Sequence, residues 1–305
     1  LHIFYQLKTS NDLEIYEIEN PSKDKLEEIC DIRQPVLFNF TNENIQNQLN
    51  HENISKHYNS FDIKIRKNTY NSQNKDKNGI LYVPILLKTA NALLNKNNSN
   101  YISENNSDFL NETGLIKTFK YNDEFLRPYL LSHSSYDYLF GSKNTFTPFR
   151  YHKNYRNFFT VTKGEITVKL TIPDNSKYLY TNKDYQYFEF RSPVNPWDVQ
   201  EQYKADFSKI KCLEITLKPG QMLYIPAYWW YSIKYNEKSS IACFYYKSYM
   251  NTLAILPDTI ISFLQNANIK RKRYIVKNTK NTKNTRILKE NVIKVKDKIA
   301  KQKNV

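Results

Sequence analysis

The sequence predicts a mainly β protein with helices, in which an antiparallel sandwich or barrel follows a mixed α/β region. Two observations carry this. From Tyr136 the chain becomes a series of short strand-like runs separated by turn signals, the spacing of a sandwich or barrel. Before that point helical and strand periodicities alternate and neither is sustained. The 305 residues are 40% hydrophobic, with 25 Tyr and 17 Phe against 5 Gly and 2 Met, enough for a large core dominated by aromatics and Ile/Leu.

In order along the chain, Asn20-Pro21-Ser22 signals a helix start with a cap and an N1 proline, and puts Leu26, Ile29 and Cys30 on one face. Pro35 to Phe38 reads as a short buried strand, Thr41 to Leu49 as a helix, and Phe61 to Ile65 as an alternating strand. Residues 67–78 are polar and Asn/Lys-rich, the signature of a loop. Pro84 is placed to open a helix through Leu87, Ala90, Leu93 and Leu94, and two short helices are expected around Phe109-Leu110 and Phe125-Leu126. Strands follow at Tyr136 to Phe140, Phe149 to Thr162, Ile166 to Leu170, Leu213 to Leu217 and Ile241 to Tyr246. Lys163-Gly164-Glu165 reads as a hairpin turn, and Leu253 to Leu264 as a helix packed on the barrel. The expected divisions are a leading region 1–135, a barrel 136–250, a helix 251–269 and a basic tail 270–305.

Charge is concentrated at one end. From Lys270 to Val305 there are 14 Lys/Arg and 2 acids, a net +12 of the chain's +15, so the body is nearly neutral. The repeat Lys277 to Thr285 cannot bury a core and reads as disordered. Leu288, Val292, Val295 and Ile299 then recur at helical spacing among lysines. The tail is read as a solvated end, a nucleic-acid contact, or a contact to an anionic membrane surface or a protein partner. Tyr274 is its single aromatic, which weakens single-strand stacking.

Cys30, Cys212 and Cys243 lack paired spacing, which argues against a disulfide framework or a Cys-based zinc site and for a reducing, intracellular setting. The longest apolar run, Ile80 to Leu87, is too short to span a membrane, whereas Leu1 to Tyr5 fits the stump of a removed anchor or signal. His51 and His57, spaced i, i+6, read as surface or packing residues, and His133 as an exposed turn residue.

Three stretches carry a family resemblance: Thr147-Pro148-Phe149-Arg150-Tyr151-His152, Asn157 to Gly164, and Lys218-Pro219-Gly220 through Trp229-Trp230-Tyr231. Together they resemble a JmjC/cupin-like domain, most closely the branch of the asparaginyl hydroxylase that inhibits hypoxia-inducible factor. Pro35-Val36, Asn105 to Leu110 and Ser192 to Asn195 fit the same context. The resemblance covers roughly residues 20 to 250 and implies a double-stranded β-helix, the cupin jelly roll. The Lys/Asn/Ile/Tyr-rich composition is similar to that of cupin-like proteins of giant DNA viruses, which implies a virion or host-cytoplasm setting.

Active members of the resembled family are Fe(II)/2-oxoglutarate oxygenases. Their iron takes two imidazoles and a carboxylate on one face, the first histidine and the carboxylate being i, i+2 on one side of a strand. Here the three positions read Arg150, His152 and Tyr231, and the position of the 2-oxoglutarate lysine reads Ile166. Arginine repels a cation, and tyrosine, with an ordinary pKa of about 10, ionises only in a strong metal field. Sliding the register to His152-Lys153-Asn154 still leaves Tyr231 as third ligand. The resemblance therefore implies a degenerate metal and co-substrate site, with no cofactor, lined by Thr147, Asn157, Phe159, Trp229 and Trp230. Arg150 either substitutes for the metal, set against Tyr231 and filling the cavity, or forms a small-anion site with His152. The expected function is a non-catalytic binding or structural role with a protein or virion partner. The alternative is a divergent Fe(II)/2-oxoglutarate-dependent protein hydroxylase.

Overall fold

The computed structural model describes residues 2–67, 82–96, 100–185 and 187–267. The polar loop from residue 68 and the basic tail from Lys270, including the Leu288 to Ile299 segment, lie outside the described residues. The chain divides into two units, one formed by Leu1–Asp184 with Phe188–Pro257 and a smaller one containing Tyr185, Tyr187 and the helical residues from Asp258 to Ala267.

Among the described residues the larger unit carries fifteen strands. Those of the leading region are β1 (Tyr16–Ile18), β2 (Val36–Asn39), β3 (Asp62–Lys67), β4 (Val83–Leu86) and β5 (Tyr101–Ser103). Next come β6 (Leu131–Gly141), β7 (Arg150–Tyr151), β8 (Arg156–Lys163), β9 (Ile166–Thr171), β10 (Asn182–Asp184) and β11 (Glu189–Arg191). The last are β12 (Leu213–Leu217), β13 (Gln221–Pro226), β14 (Trp230–Tyr235) and β15 (Ser239–Ser248). They form a nine-stranded sheet in the order β1-β2-β13-β8-β15-β6-β5-β3-β4 and a six-stranded sheet in the order β10-β11-β7-β14-β9-β12. Every pairing is antiparallel except β1 with β2.

Strand periodicity of two sorts the side chains into two cores. On β13, Leu223 and Ile225 enter the core between the sheets, while Met222 and Tyr224 point to the opposite face. On β15, Ile241 and Cys243 enter that inner core while Ala242, Phe244 and Tyr246 join the outer one. The inner core is completed from the smaller sheet by Ile166, Val168, Leu170, Tyr231, Ile233 and Tyr235. The outer core seats the helices of the leading region on the larger sheet through Leu26, Ile29, Leu87, Phe109 and Phe119. Strands covered on both faces read as continuous apolar runs, which is why β13 and β15 show little alternation in sequence.

Two sharp corners carry the chain from one sheet to the other. Lys163-Gly164-Glu165 is not a hairpin: β8 and β9 lie in different sheets and do not pair. Gly164 sits at φ 81°, and a Cβ there would lie 2.4 Å from the Ser239 hydroxyl, so glycine alone fits this corner. Pro219-Gly220 makes the second corner, between β12 and β13, with Gly220 at φ 90°. The jelly roll expected from the sequence is thus present as two facing antiparallel sheets.

Several elements differ from their sequence expectation. Ser22, not Asn20, caps the first expected helix, its hydroxyl accepting from the Lys25 amide. A helix over Glu43–Gln48 is followed by a second over His51–His57, each capped by an asparagine. Pro84 lies in β4 and the helix begins at Leu87. As β4 is the edge of its sheet, the absent proline N–H costs no ladder bond. Helix Ile116–Asn122 was not anticipated, and Phe125-Leu126 form a 3-10 turn. His51 is buried against Phe140, His57 is exposed, and His133 is exposed but on β6, not in a turn. The helix expected at Leu253 to Leu264 is two, Tyr249–Ala254 and Leu256–Ala267. Among the described residues no helix is long and apolar enough to cross a membrane.

Candidate functional site

The run from Phe149 to Thr162, a single strand by its sequence, breaks at His152 to Tyr155 and changes sheet. This break builds the site. Arg150 on β7 stands directly opposite Tyr231 on β14, and opposed residues of an antiparallel pair share a face. Tyr231 belongs to the inner core, so Arg150 enters it too. His152 follows two residues later on the same side, and its carbonyl accepts from the Tyr228 amide at 2.8 Å. Tyr228 adopts φ 68°, a left-handed conformation unfavourable for a non-glycine residue, and so turns the chain after Pro226 into β14.

The three side chains meet. The Tyr231 hydroxyl lies 3.1 Å from His152 Nε2, with the rings edge to face at 5.4 Å. His152 Nδ1 lies 3.3 Å from Asn157 Oδ1. Asn157 Nδ2 donates to the Ile225 carbonyl at 3.0 Å, which turns its oxygen toward the imidazole. This network assigns the proton to Nδ1, leaving Nε2 to accept from the Tyr231 hydroxyl. Desolvation and the adjacent Arg150 charge hold His152 well below the usual histidine range, so it is neutral at pH 7. Burial raises the Tyr231 phenol further than Arg150 lowers it, so it keeps its proton. Phe159 and Tyr245 close the apolar wall, Phe159 at 5.2 Å from Tyr231 and Tyr245 at 5.0 Å from His152.

Arg150 is paired within the protein. Its Nη2 lies 2.7 Å from Glu104 Oε2, and its Cζ is 5.6 Å from the Tyr231 ring centroid. The other carboxylate oxygen, Oε1, meets Arg66 Nε at 2.7 Å. Burial would raise the Glu104 carboxyl, but the Arg150 and Arg66 charges outweigh it and hold it at about 2. Tyr82 reaches both Glu104 at 3.0 Å and Glu189 at 2.8 Å with its one phenol proton. Beside them, Asn105 at φ 61° bends the backbone so that the Asn105 and Asn106 amides both donate to Asp137, at 2.8 and 2.7 Å. The anion that meets Arg150 in this structure is a carboxylate of the same chain.

The remaining expected residues are placed as follows. Ile166 is fully buried in the inner core, opposite Tyr235 and Leu217 on its two neighbouring strands. Thr147 is tied into the fold, its hydroxyl accepting from the Ile233 amide and its carbonyl accepting from the Ser232 hydroxyl. Trp229 and Trp230 are both fully buried; Trp230 donates to Ser176 and lies against Phe149 and Tyr151. Asn154, the ligand of the shifted register, donates to Asn157 Oδ1. Among the described residues no group of three or more His, Cys, Asp or Glu side chains is placed to hold a metal ion.

Glu104, Arg66, Tyr82 and Tyr245 went unrecognised in the sequence. A weak signal existed: Glu104 directly follows the apolar strand β5, where a buried carboxylate requires a cation. Its partners lie dozens of residues away in both directions, so no local spacing connects them.

With two facing antiparallel sheets, two sheet-switching corners and a polar cluster at the β7–β14 pairing, the architecture is a jelly roll with its site inside. A model of the cupin-like domain family matches residues 9–251, which is most of the chain. The chain belongs to the cupin-like domain family.

Proposed function

We propose that this is a non-catalytic cupin-like domain protein with a binding or structural role, whose metal and co-substrate positions have been converted into an internal polar plug. The observation that carries the reading is the pairing of Arg150 with Glu104 at 2.7 Å, directly beside Tyr231 and His152. The donor set fits Fe(II) poorly. A permanently charged guanidinium stands at the first ligand position, a protonated phenol at the third, and His152 has both ring nitrogens engaged within the protein. The co-substrate position holds Ile166, an apolar side chain without a charge for a carboxylate. The composition, similar to that of cupin-like proteins of giant DNA viruses, supports a role in a virus particle or the host cytoplasm.

Metal analysis of the purified protein, combined with succinate formation from 2-oxoglutarate, tests this. The expected result is substoichiometric iron that is not enriched by Fe(II) loading, and no turnover. Stoichiometric iron with succinate formation would establish the divergent hydroxylase instead.

A further inference from the structure

Arg33 is held in surroundings that leave its chemistry unmet. It follows helix Lys23–Asp31 at φ 65°, the left-handed conformation in which helices commonly end on glycine. An arginine there carries backbone strain, yet its side chain gains no ion pair. The residue is 3% exposed, and neither Nη1 nor Nη2 has a hydrogen-bond partner among the described residues. Its place at a helix C-terminus suits a cation, but no carbonyl of that helix accepts from either nitrogen. Glu27 and Asp31 of the same helix are engaged by Arg156, and Asp31 also accepts from the Tyr155 hydroxyl. Arg33 is left to two aromatic rings, its Cζ lying 4.8 Å from the Tyr155 centroid and 5.6 Å from that of Tyr5. Ring faces attract the charge, while the N–H groups in the guanidinium plane still need acceptors.

Two more orphaned polar atoms belong to the elements around it. Gln6, next to Tyr5 on helix His2–Leu7, is 9% exposed and its Oε1 has no partner. That helix packs on helix Tyr249–Ala254, whose Asn251 is 1% exposed with Oδ1 likewise unpaired. Asn251 Nδ2 donates to the carbonyl of Lys153, in the same break of the chain that carries Tyr155. A closed circuit of contacts thus runs from Arg33 through Tyr155, Lys153 and Asn251 to the helix of Tyr5 and Gln6. Its orphans are of two kinds, paired guanidinium donors and amide acceptors. The two donors of a planar guanidinium match the two oxygens of a carboxylate. The amide oxygens match a donor carried beside that carboxylate, which sulfate, an acceptor at every oxygen, does not provide. Tyr5 is itself exposed, so its ring is the outer wall of the site.

We propose that Arg33, with Gln6 and Asn251, forms a binding site for a small carboxylate that bears a neighbouring hydroxyl or ammonium group. It uses none of the residues of the barrel interior and stands independently of the reading of Arg150. Thermal unfolding of the full chain and of Arg33→Met tests it, in sodium glycolate, sodium sulfate and sodium chloride at equal ionic strength. Methionine keeps an apolar stem between the two rings and removes the buried charge. In chloride the variant should therefore be at least as stable as the parent. Glycolate should raise the parent's midpoint saturably, as binding to the folded state requires, and this rise should be lost in Arg33→Met. Sulfate should move both proteins equally. Gln6→Leu should weaken the glycolate response and leave the midpoint in chloride unchanged. An Arg33→Met protein that is much less stable in chloride, or does not fold, would make Arg33 a structural cation and overturn the proposal. A glycolate rise shared by parent and Arg33→Met overturns it too, as does a parent-specific response to sulfate as large as that to glycolate. No saturable rise in the parent has the same consequence, Arg33 then being satisfied by water alone.

Discussion

Arg150 and Arg156 are six residues apart and both buried, yet they differ in the company their charge keeps. Arg150 points between the sheets to Glu104, whose side chain is 2% exposed and which also holds Arg66. Arg156, on β8, points to the other face of the larger sheet, where it joins Glu27 at 2.8 Å and Asp31 at 3.1 Å on helix Lys23–Asp31. Those side chains are 12% and 43% exposed, and the Arg156 guanidinium also lies 4.9 Å from the Tyr155 ring. Arg156 thus clamps a helix onto a sheet with partners that can rehydrate. Arg150 belongs to a buried ionic set in which the one carboxylate of Glu104 meets both Arg150 and Arg66. Buried ion pairs of the second kind contribute little net stability over apolar replacements, but breaking one partner is costly. The difference separates a fastening from a site whose interior arrangement is fixed.

The comparison is broken most severely at Glu104. Glu104→Ala leaves two buried guanidiniums without their carboxylate and should cost about 3–5 kcal/mol, a large part of the roughly 5–15 kcal/mol typical of a folded domain. Urea denaturation of the variant should show the midpoint falling accordingly; an unchanged midpoint would mean that water reaches Arg150 and Arg66. The same residue sets the acid response. A carboxyl ordinarily near 4.5 and held at about 2 in the fold contributes roughly 3 kcal/mol. Since its folded pKa is depressed, that contribution is fully present above pH 5 and is lost as pH falls from about 5 toward 2. Unfolding free energy measured against pH should show this fall in the parent and a shallower one in Glu104→Gln.

Arg156→Met should cost less, about 1–2 kcal/mol, because Glu27 and Asp31 can recover water or take up a proton. Burial already raises the Glu27 carboxyl, against the pull of Arg156, so removing the arginine should raise it further. NMR titration of Glu27 reads that directly. If Arg156→Met proved as damaging as Glu104→Ala, the distinction between clamp and closed site would fail.

How much of this was legible in the sequence follows from the same pair. Residues 150 and 156 have equal parity, so one continuous strand over Phe149 to Thr162 would place both arginines on one side. The break at His152 to Tyr155 puts them on opposite faces, and no glycine or proline announces it. Where turn chemistry is local, as at Gly164 and Gly220, the corners were visible, although not that they switch sheets. Arg150, His152 and Tyr231 were legible as neighbours because the family's motifs bring those positions together. Glu104 was not, since its partners are joined to it by sheet order and not by spacing.

The finest test of the closed site is Tyr231→Phe, which keeps the ring against Arg150 and Phe159 and removes only the hydroxyl. His152 Nε2 then loses its donor while Nδ1 remains held by Asn157. The cost should be about 1 kcal/mol, the worth of one hydrogen bond, and smaller than that of any change above because no charge is uncovered. With Nε2 unpaired beside Arg150, protonation stays unfavourable, so the histidine ring should remain neutral at pH 7, with Nδ1 protonated, in 15N NMR spectra. A charged imidazole in this variant would show that the hydroxyl, and not burial beside Arg150, keeps His152 neutral. The interior would then be less closed than the Arg150–Glu104 pair implies.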